Sequence, residues 1–166
     1  MPRDIGPARF SDIPGIVALG RRCLSRSIYA ESAEVDDRMA NAFLFNVIAE
    51  QKSGAPARLG SMAVFVTRND GLVTGVIVGA LQPLYLVLSR AVLTDLMWFS
   101  DRDTGRPGDG LGLLEALRDW ALTSGLDVIS EHVVTDAVEK PERVGYALLR
   151  SGFSACGAVY RKDLSE

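Results

Sequence analysis

The chain of 166 residues lacks the features on which disulfide-rich, metal-binding and nucleic-acid-binding proteins depend. Its two cysteines, Cys23 and Cys156, lie far apart and without the spacing of metal ligands. We therefore expect free thiols in a reducing compartment. His132 is the only histidine. The net charge of −3 gives no general basic surface, so nucleic acid is not an expected partner.

The sequence also has no strong signal for a secretory leader or a membrane span. Met1 runs into a short apolar strand rather than an apolar leader core, so a cytoplasmic protein is expected. The stretch 71–89 has no charged residue, but Gly75, Gly79 and Pro83 interrupt it. A membrane helix needs roughly 20 apolar residues. Because the first half is rich in β-branched residues, a buried strand explains it better, and no membrane contact is expected.

The pattern of apolar residues predicts one globular domain over 1–166. Hydrophobic residues make up 48% of the chain and charged residues 23%, which is ordinary for a globular protein. The predicted element order is β-α-α-β-β-β-α-β-α-β. The predicted strands are 5–10, 61–67, 72–80, 92–99, 126–133 and 158–162, with 81–90 left unassigned. The predicted helices follow Ser11 as N-cap, cover 35–50 and 110–122, and begin near Pro141. This order gives a mixed sheet with helices on both faces, an α/β (α+β) fold.

The second helix is expected to bury one stripe of side chains at helical spacing. The stripe comprises Met39, Ala42, Phe43, Asn46 and Val47.

The stretch 92–122 is the most informative part of the sequence. An apolar strand at 92–99 is followed by a loop of Asp, Arg, Gly and Pro, and then by an amphipathic helix. The first amides of a helix have no internal partner, and glycines let an anion approach them. This loop contains no lysine, which excludes the Walker pattern, and Gly112 comes one residue too early for the dinucleotide fingerprint. An ordinary strand-turn-helix is the alternative.

The loop resembles the pyrophosphate loop of the GNAT superfamily of acyl-CoA N-acyltransferases. That family's pattern is Arg/Gln-x-x-Gly-x-Gly/Ala, and Gly110 and Gly112 fill its glycine positions. Pro107 stands where Arg or Gln is expected, with Arg106 one place earlier. The stretch 143–164, RVGYALLRSGFSACGAVYRKDL, is similar to the family's C-terminal helix, Gly-Phe and last strand. The resemblance implies a GNAT-like mixed, mostly antiparallel sheet of six to seven strands, with about four helices on both faces.

The resemblance also implies acetyl-CoA, or another acyl-CoA, as the cofactor. In this family the central strand, here 92–99, splays from the next one, here 126–133, and the pantetheine arm lies in the gap. Asp109 would bring a negative charge close to the pyrophosphate. The residues implied in cofactor binding are Trp98, Phe99, Ser100, Arg106, Gly108, Asp109, Gly110, Leu111, Gly112 and Leu113.

The expected activity is direct transfer of an acetyl group to a primary amine of a small molecule or protein. Asp95 and Glu131 are the candidate catalytic residues, because an acidic group near the gap can take the amine proton. Asp95 could instead be bonded at a strand end, and Glu131 could be simply exposed. His132 is a further candidate base, although a lone histidine in a strand is more often structural. Many family members place a tyrosine acid where this chain has Leu148, and Tyr146 faces about 200° away.

Two other interpretations stay open at this point. The chain could be a catalytically silent GNAT-fold protein that works in binding or assembly, as Leu148 and Asp109 favour. It could also be a nucleotide-binding α/β protein without coenzyme A. The amine acceptor is not identified. Acidic side chains between Glu31 and Asp37 would suit a cationic amine, and the apolar content allows a homodimer.

Overall fold

Five strands and four α-helices make up the described part of the protein. The computed structural model describes residues 4–85, 87–101, 103–134 and 140–159, with residue 88 described for its backbone only. The elements in order are β1 Asp4–Pro7, a 3-10 turn Phe10–Asp12, α1 Ile13–Leu24, α2 Asp37–Gln51, β2 Met62–Asn69, β3 Leu72–Leu84, β4 Val87–Ser100, α3 Asp109–Leu122, β5 Asp127–Glu131 and α4 Pro141–Arg150.

The strands form one sheet in the order β1-β2-β3-β4-β5. The first three pairs are antiparallel and β4–β5 is parallel, so the sheet is mixed and mostly antiparallel as predicted. The predicted count of six to seven strands is wrong for the described residues, which contain five. The predicted last strand begins at residue 158, yet 154–159 form no strand and are exposed throughout. No buried apolar side chain fixes that segment, and 160–162 lie outside the described residues.

The unassigned stretch 81–90 is the tip of a long β-hairpin. β3 continues to Leu84 and β4 begins at Val87. Tyr85, in the turn between them, has a φ of 49° and is 89% exposed. Apart from its turns, the described part of the uncharged segment is therefore strand. None of the helices in the described residues has the length and apolar character of a membrane span.

Two helix pairs cover the two faces of the sheet and give two apolar cores. On the α1–α2 face, Leu19 and Ile48 are fully buried against strand residues such as Val76. On the α3–α4 face, Leu93 and Leu117 are fully buried. A β-carbon at Gly79 would lie 2.4 Å from Leu117 Cδ2, so α3 packs directly on β3.

The stripe predicted for α2 is wrong except at Val47, which is buried. Met39 is 68% exposed and Phe43 is 37% exposed, and Ala42 and Asn46 are exposed as well. The helix instead buries its other apolar stripe, Leu44, Val47 and Ile48. Both stripes have helical spacing, and the packing against β2 selects the second. Asp36 caps the helix by accepting a hydrogen bond from the Met39 amide at 3.0 Å.

A buried ion pair ties the start of α1 to β2. The N-cap of α1 is Asp12 rather than Ser11, which lies inside the 3-10 turn. Asp12 Oδ2 accepts from Arg68 Nη2 at 2.6 Å, and Asp12 Oδ1 accepts from Arg68 Nε at 3.1 Å. Burial alone raises the pKa of Asp12, but the hydrogen bonds and charges of Arg68 and Arg9 together outweigh it and the pKa is lowered.

Candidate active site

A fork in the sheet opens where β4 runs past the end of β5. The parallel pairing starts at Arg90 with Asp127 and stops at Thr94 with Glu131. β4 then continues through residues 95–100 without a partner in β5. An unpaired strand edge can take up an extended ligand by backbone hydrogen bonds. The pairing therefore stops where the sequence analysis places the gap between the central strand and the next one.

A β-bulge bends β4 at the mouth of the fork. Gly79 of β3 pairs with Asp95 and Val78 pairs with Met97, so Leu96 is an extra residue on β4. A bulge increases the local twist and re-aims the residues on either side. Leu96 is 52% exposed. The bulge thus separates the half of β4 that pairs with β5 from the half beyond β5, which is called the free half below.

The start of α3 lies against the free half of β4. Trp98 Nε1 donates to the Gly110 carbonyl at 3.1 Å. Gly108, the N-cap, has a φ of 86°, which favours glycine. A β-carbon at Gly112 would lie 2.5 Å from Ile5 Cδ1, so this glycine allows α3 to approach β1. The Gly112 amide makes a bond to the Gly108 carbonyl, which leaves the amides of Gly110 and Leu111 in the helix turn that has no internal acceptors.

The two charged residues predicted in this loop make contacts within the protein. Asp109 is 3% exposed, and its Oδ2 accepts from the Arg106 amide at 2.7 Å. Arg106 Nη2 donates to Asn69 Oδ1 at 2.5 Å, which ties the loop to the β2–β3 turn. Asp109 therefore holds the loop against the start of α3, where the helix dipole favours a negative charge.

A second carboxylate, which the sequence analysis missed, anchors the loop to α1. Asp101 is 6% exposed, and its Oδ2 accepts from Arg22 Nη2 at 2.8 Å and from Arg22 Nε at 3.1 Å. Asp101 Oδ1 accepts from the Asp103 amide at 3.0 Å. Burial raises the pKa of Asp101, but these hydrogen bonds outweigh it and the pKa is lowered. The Asp101 carboxylate therefore stays ionised although it is buried, and its ion pair with Arg22 holds the loop against α1.

Three polar side chains form a chain of hydrogen bonds at the apex of the fork. Asp95 and His132 are the next residues after the last paired residues of β4 and β5. His132 Nδ1 lies 2.7 Å from Asp95 Oδ1, and His132 Nε2 lies 2.7 Å from Ser130 Oγ. With Asp95 ionised, its oxygen can only accept, so the His132 proton sits on Nδ1.

Aromatic rings enclose this chain. The rings of Trp98 and Phe153 lie 6.0 Å and 5.5 Å from the imidazole of His132, measured between centroids. The His132 side chain is 1% exposed and that of Asp95 is 13% exposed. As whole residues, Asp95, Ser130 and His132 are all partly exposed. The imidazole itself is therefore more enclosed than the Asp95 carboxylate beside it.

The remaining predicted residues do not belong to the hydrogen-bond chain of Asp95, His132 and Ser130. Glu131 is exposed, and it lies on the opposite face of the sheet from Ser130 because neighbours on a strand alternate. Leu148 is 6% exposed in the α3–α4 core, and Tyr146 is 64% exposed. Phe99 packs against the α1–α2 core. Of the two candidate bases, Asp95 is the one whose hydrogen bond to the His132 imidazole is observed.

The acidic region expected to receive the amine borders a small cleft of about 280 Å³. Its lining comes from the end of α1 and the connection to α2, comprising Arg21, Leu24, Ser25, Ala30, Ala33, Glu34 and Val35. Arg21 forms an ion pair with Asp37, which offsets part of the acidic charge. Tyr29 does not line this cleft.

Comparison with known proteins relates the fold to one class of enzyme. No family model and no curated protein matches the chain. Solved acetyltransferase structures match it over nearly their whole length. A ribosomal-protein-alanine N-acetyltransferase from Brucella melitensis biovar Abortus 2308 has a TM-score of 0.66 at 14% identity, with 99% of this chain and 100% of that chain covered.

Two further neighbours carry ligands. A predicted acetyltransferase from Clostridium acetobutylicum with acetyl-CoA has a TM-score of 0.65 at 12% identity, with 98% and 97% of the two chains covered. An aminoglycoside acetyltransferase from an uncultured soil metagenomic sample, in complex with sisomicin, has a TM-score of 0.66 at 14% identity and the same coverage. This chain has the fold of the GNAT acetyltransferases.

Proposed function

We propose that this protein is an N-acetyltransferase that moves an acetyl group from acetyl-CoA directly to a primary amine. The observation that carries the proposal is the fork, in which a free strand edge leads to the glycine-containing start of a helix. That arrangement suits a ligand with an extended amide-bearing arm and a pyrophosphate. The acetyl-CoA found with the Clostridium neighbour supports the same ligand.

The residues around the fork fit coenzyme A. On the free half of β4, the backbone of Trp98 and Ser100 would offer amides and carbonyls to the pantetheine arm. Phe99, between them, pairs with Val76 and directs its backbone groups to β3. The amides of Gly110 and Leu111 would hold the pyrophosphate, helped by the positive end of the helix dipole. Arg106 lies beside them, and the buried carboxylate of Asp109 faces its own loop rather than solvent. Bound acetyl-CoA supplies the activated acyl group as a thioester.

The protein's own groups would then orient the amine and take its proton. Glu131 lies on the α1–α2 face, the side on which the acidic connection before Asp37 is found. An exposed carboxylate there attracts a cationic amine and accepts a proton as the amine attacks. Backbone amides on the free half of β4 can polarise the acyl carbonyl. Asp95 would act indirectly, by orienting the His132 imidazole, because its Oδ1 already contacts that ring.

The acceptor class is part of the proposal. Two neighbours are described as acting on different amines, an aminoglycoside and a ribosomal protein. Sisomicin and a peptide with an N-terminal alanine are therefore suitable first probes. The competing function is a GNAT-fold binding or assembly protein without catalysis, which Leu148 at the usual tyrosine position favours.

The test is thermal unfolding with and without saturating acetyl-CoA, with adenosine 3′,5′-bisphosphate as the control ligand. A ligand at about 100 times its Kd adds about 2.7 kcal/mol of stability, which raises Tm by roughly 5–10 °C. Gly110→Trp should abolish the rise, because its side chain would fill the start of α3, where a β-carbon itself makes only ordinary contact with Trp98 at 3.6 Å.

Gly6→Trp is the matched control, because Gly6 lies on β1 at the far edge of the sheet with no atom within 4 Å of its β-carbon position. It should keep the full rise in Tm. Absence of any rise in the wild-type protein would contradict the transferase proposal and favour the binding or assembly function.

A further inference from the structure

The apex of the fork, where β4 and β5 separate, is occupied by side chains on its α3–α4 side. Asp95 and His132 follow the last backbone pair of the two strands, and Asp95 Oδ1 lies 2.7 Å from His132 Nδ1. Trp98 and Phe153 contact the imidazole, with ring centroids at 6.0 Å and 5.5 Å. The His132 side chain is 1% exposed. The imidazole is therefore packed into this side of the apex.

Coenzyme A bound as proposed above would bring its sulfur to the apex. The start of α3, which would hold the pyrophosphate, contacts Trp98 on the free half of β4. From there the pantetheine arm would follow the free half toward the bulge at Leu96. Residues 97–100 span about 13 Å at roughly 3.3 Å each, and an extended arm with two amide units has a comparable length. An acyl group on the sulfur would therefore lie beside Asp95.

The two sides of the apex differ in what they offer to that acyl group. On the α3–α4 side the group would meet the Asp95 carboxylate, which is 13% exposed, and the packed imidazole of His132 behind it. Methylene groups placed there would remove the carboxylate from its remaining water without giving it a new hydrogen bond. On the α1–α2 side the last pair is Thr94 with the exposed Glu131. That second side is the one on which the amine would approach.

We propose that His132, held by Asp95, is a positioning residue that closes the α3–α4 side of the apex, directs the acyl group to the α1–α2 side and limits the donor to short acyl chains. The inference rests on the acetyltransferase function proposed above and narrows it to donors of about the size of acetyl-CoA. A longer chain would have to occupy the space that the amine needs. The imidazole acts here through its volume and its hydrogen bond, and it transfers no proton.

Replacing both side chains should create the pocket that the imidazole fills. Asp95→Ala combined with His132→Ala removes the ring and leaves no buried carboxylate without its partner, and the rings of Trp98 and Phe153 border the space. Butyryl-CoA has two more methylene groups than acetyl-CoA. In the double alanine variant it should gain about tenfold in affinity relative to acetyl-CoA, as expected for burying those two groups. In the wild-type protein butyryl-CoA should bind no more tightly than acetyl-CoA.

Calorimetric titration without an amine measures both dissociation constants, so the test does not depend on the identity of the acceptor. Asp95→Asn combined with His132→Gln is the conservative variant. It keeps much of the side-chain volume and can keep a hydrogen bond, so it should keep the wild-type ratio of the two Kd values.

Leu44→Ala is the matched control for lost stability, because Leu44 is 2% exposed in the α1–α2 core, away from the fork. This substitution should also leave the ratio unchanged. A purely structural role of His132 would weaken the binding of both acyl-CoAs alike.

The outcomes separate this inference from the function on which it rests. If the wild-type protein binds butyryl-CoA more tightly than acetyl-CoA, the apex already holds a pocket and the inference is wrong. It is also wrong if the double alanine variant keeps the wild-type ratio, or if Leu44→Ala changes the ratio as much. The wild-type ratio tests the inference even if the double alanine variant does not fold. If neither coenzyme A nor acetyl-CoA binds the wild-type protein, the transferase function fails and the inference fails with it.

Discussion

The two faces of the sheet each bury polar side chains, but they satisfy them in different ways. On the α1–α2 face, Asp12 and Arg68 form an ion pair whose side chains are 9% and 6% exposed, and Arg68 also pairs with the exposed Asp4. On the α3–α4 face, the Asp95 and His132 side chains are also largely buried, and their hydrogen-bond chain ends at the hydroxyl of Ser130. The first cluster joins opposite charges, whereas the second joins one carboxylate to an imidazole and a hydroxyl.

The difference follows from where each cluster lies in the sheet. Arg68 is on β2, which has strands on both sides. Asp95 and His132 follow the last paired residues of β4 and β5. Backbone pairing on both sides holds Arg68 in place. At Asp95 and His132 the backbone pairing of β4 with β5 has ended, and side-chain contacts connect the two strands instead. The first cluster therefore stabilises the middle of the sheet, while the second connects the two strands at the point where their backbone pairing stops.

The largest expected effect on stability comes from breaking the Asp12–Arg68 ion pair. Asp12→Ala leaves the Arg68 guanidinium buried without its main partner, which should lower the free energy of unfolding by about 3–5 kcal/mol. The affinity for acetyl-CoA should stay unchanged, because the fork is formed by other strands. Urea unfolding and ligand titration measure the two quantities. A weakened affinity at full folding would mean that the two faces are coupled.

Packing on the α3–α4 face is the next target. A β-carbon at Gly79 would lie 2.4 Å from Leu117 Cδ2, so Gly79→Ala should displace α3 and cost about 1–3 kcal/mol of stability. Gly20→Ala is the control. Gly20 lies within α1 with open space at its β-carbon position, and alanine there should stabilise by about 0.5–1 kcal/mol. Equal effects of both substitutions on urea unfolding would contradict the packing argument.

The sequence predicted the parts of the fold that local chemistry determines. The turn at 68–71 and the start of α3 after Gly108 are set by residues that are neighbours in the chain. The face of α2 was predicted wrongly, because Met39 and Leu44 both belong to apolar stripes of helical spacing. Only the packing of α2 against β2 decides between them.

The polar chain at the fork depends on the register of two strands far apart in sequence. Asp95 and His132 meet because Thr94 pairs with Glu131, and no local pattern contains that information. One signal was present: Ser130 and His132 are two residues apart on one strand, which places them on one face. The burial of Asp109 was not predictable either, since it depends on the turn of the loop.

The stability contributed by the Asp12–Arg68 cluster should depend on pH and should be lost in acid. The pKa of Asp12 in the folded state lies below the ordinary value of 3.8, because the contacts with Arg68 and the Arg9 amide outweigh burial. Its contribution to stability is therefore fully present above that value and is lost as the pH falls through the folded-state pKa. Asp12→Asn should be less stable than wild type at neutral pH, and the difference should shrink below about pH 4. A constant difference in unfolding free energy at all pH values would contradict the assignment.

The smallest effect is expected from the anchor of the fork's loop. Arg22 binds the buried Asp101, but the Arg22 side chain is itself 45% exposed, so Arg22→Gln should cost no more than about 1 kcal/mol of stability. Its effect on acetyl-CoA should be clearer, because Asp101 fixes the loop between β4 and α3 and a looser loop must be ordered on binding. The matched control is Arg26→Gln, since Arg26 pairs with the exposed Asp103. Calorimetric titration should show weaker acetyl-CoA binding for Arg22→Gln alone, and equal losses in both variants would mean that general positive charge, rather than the Asp101 anchor, supports the cofactor.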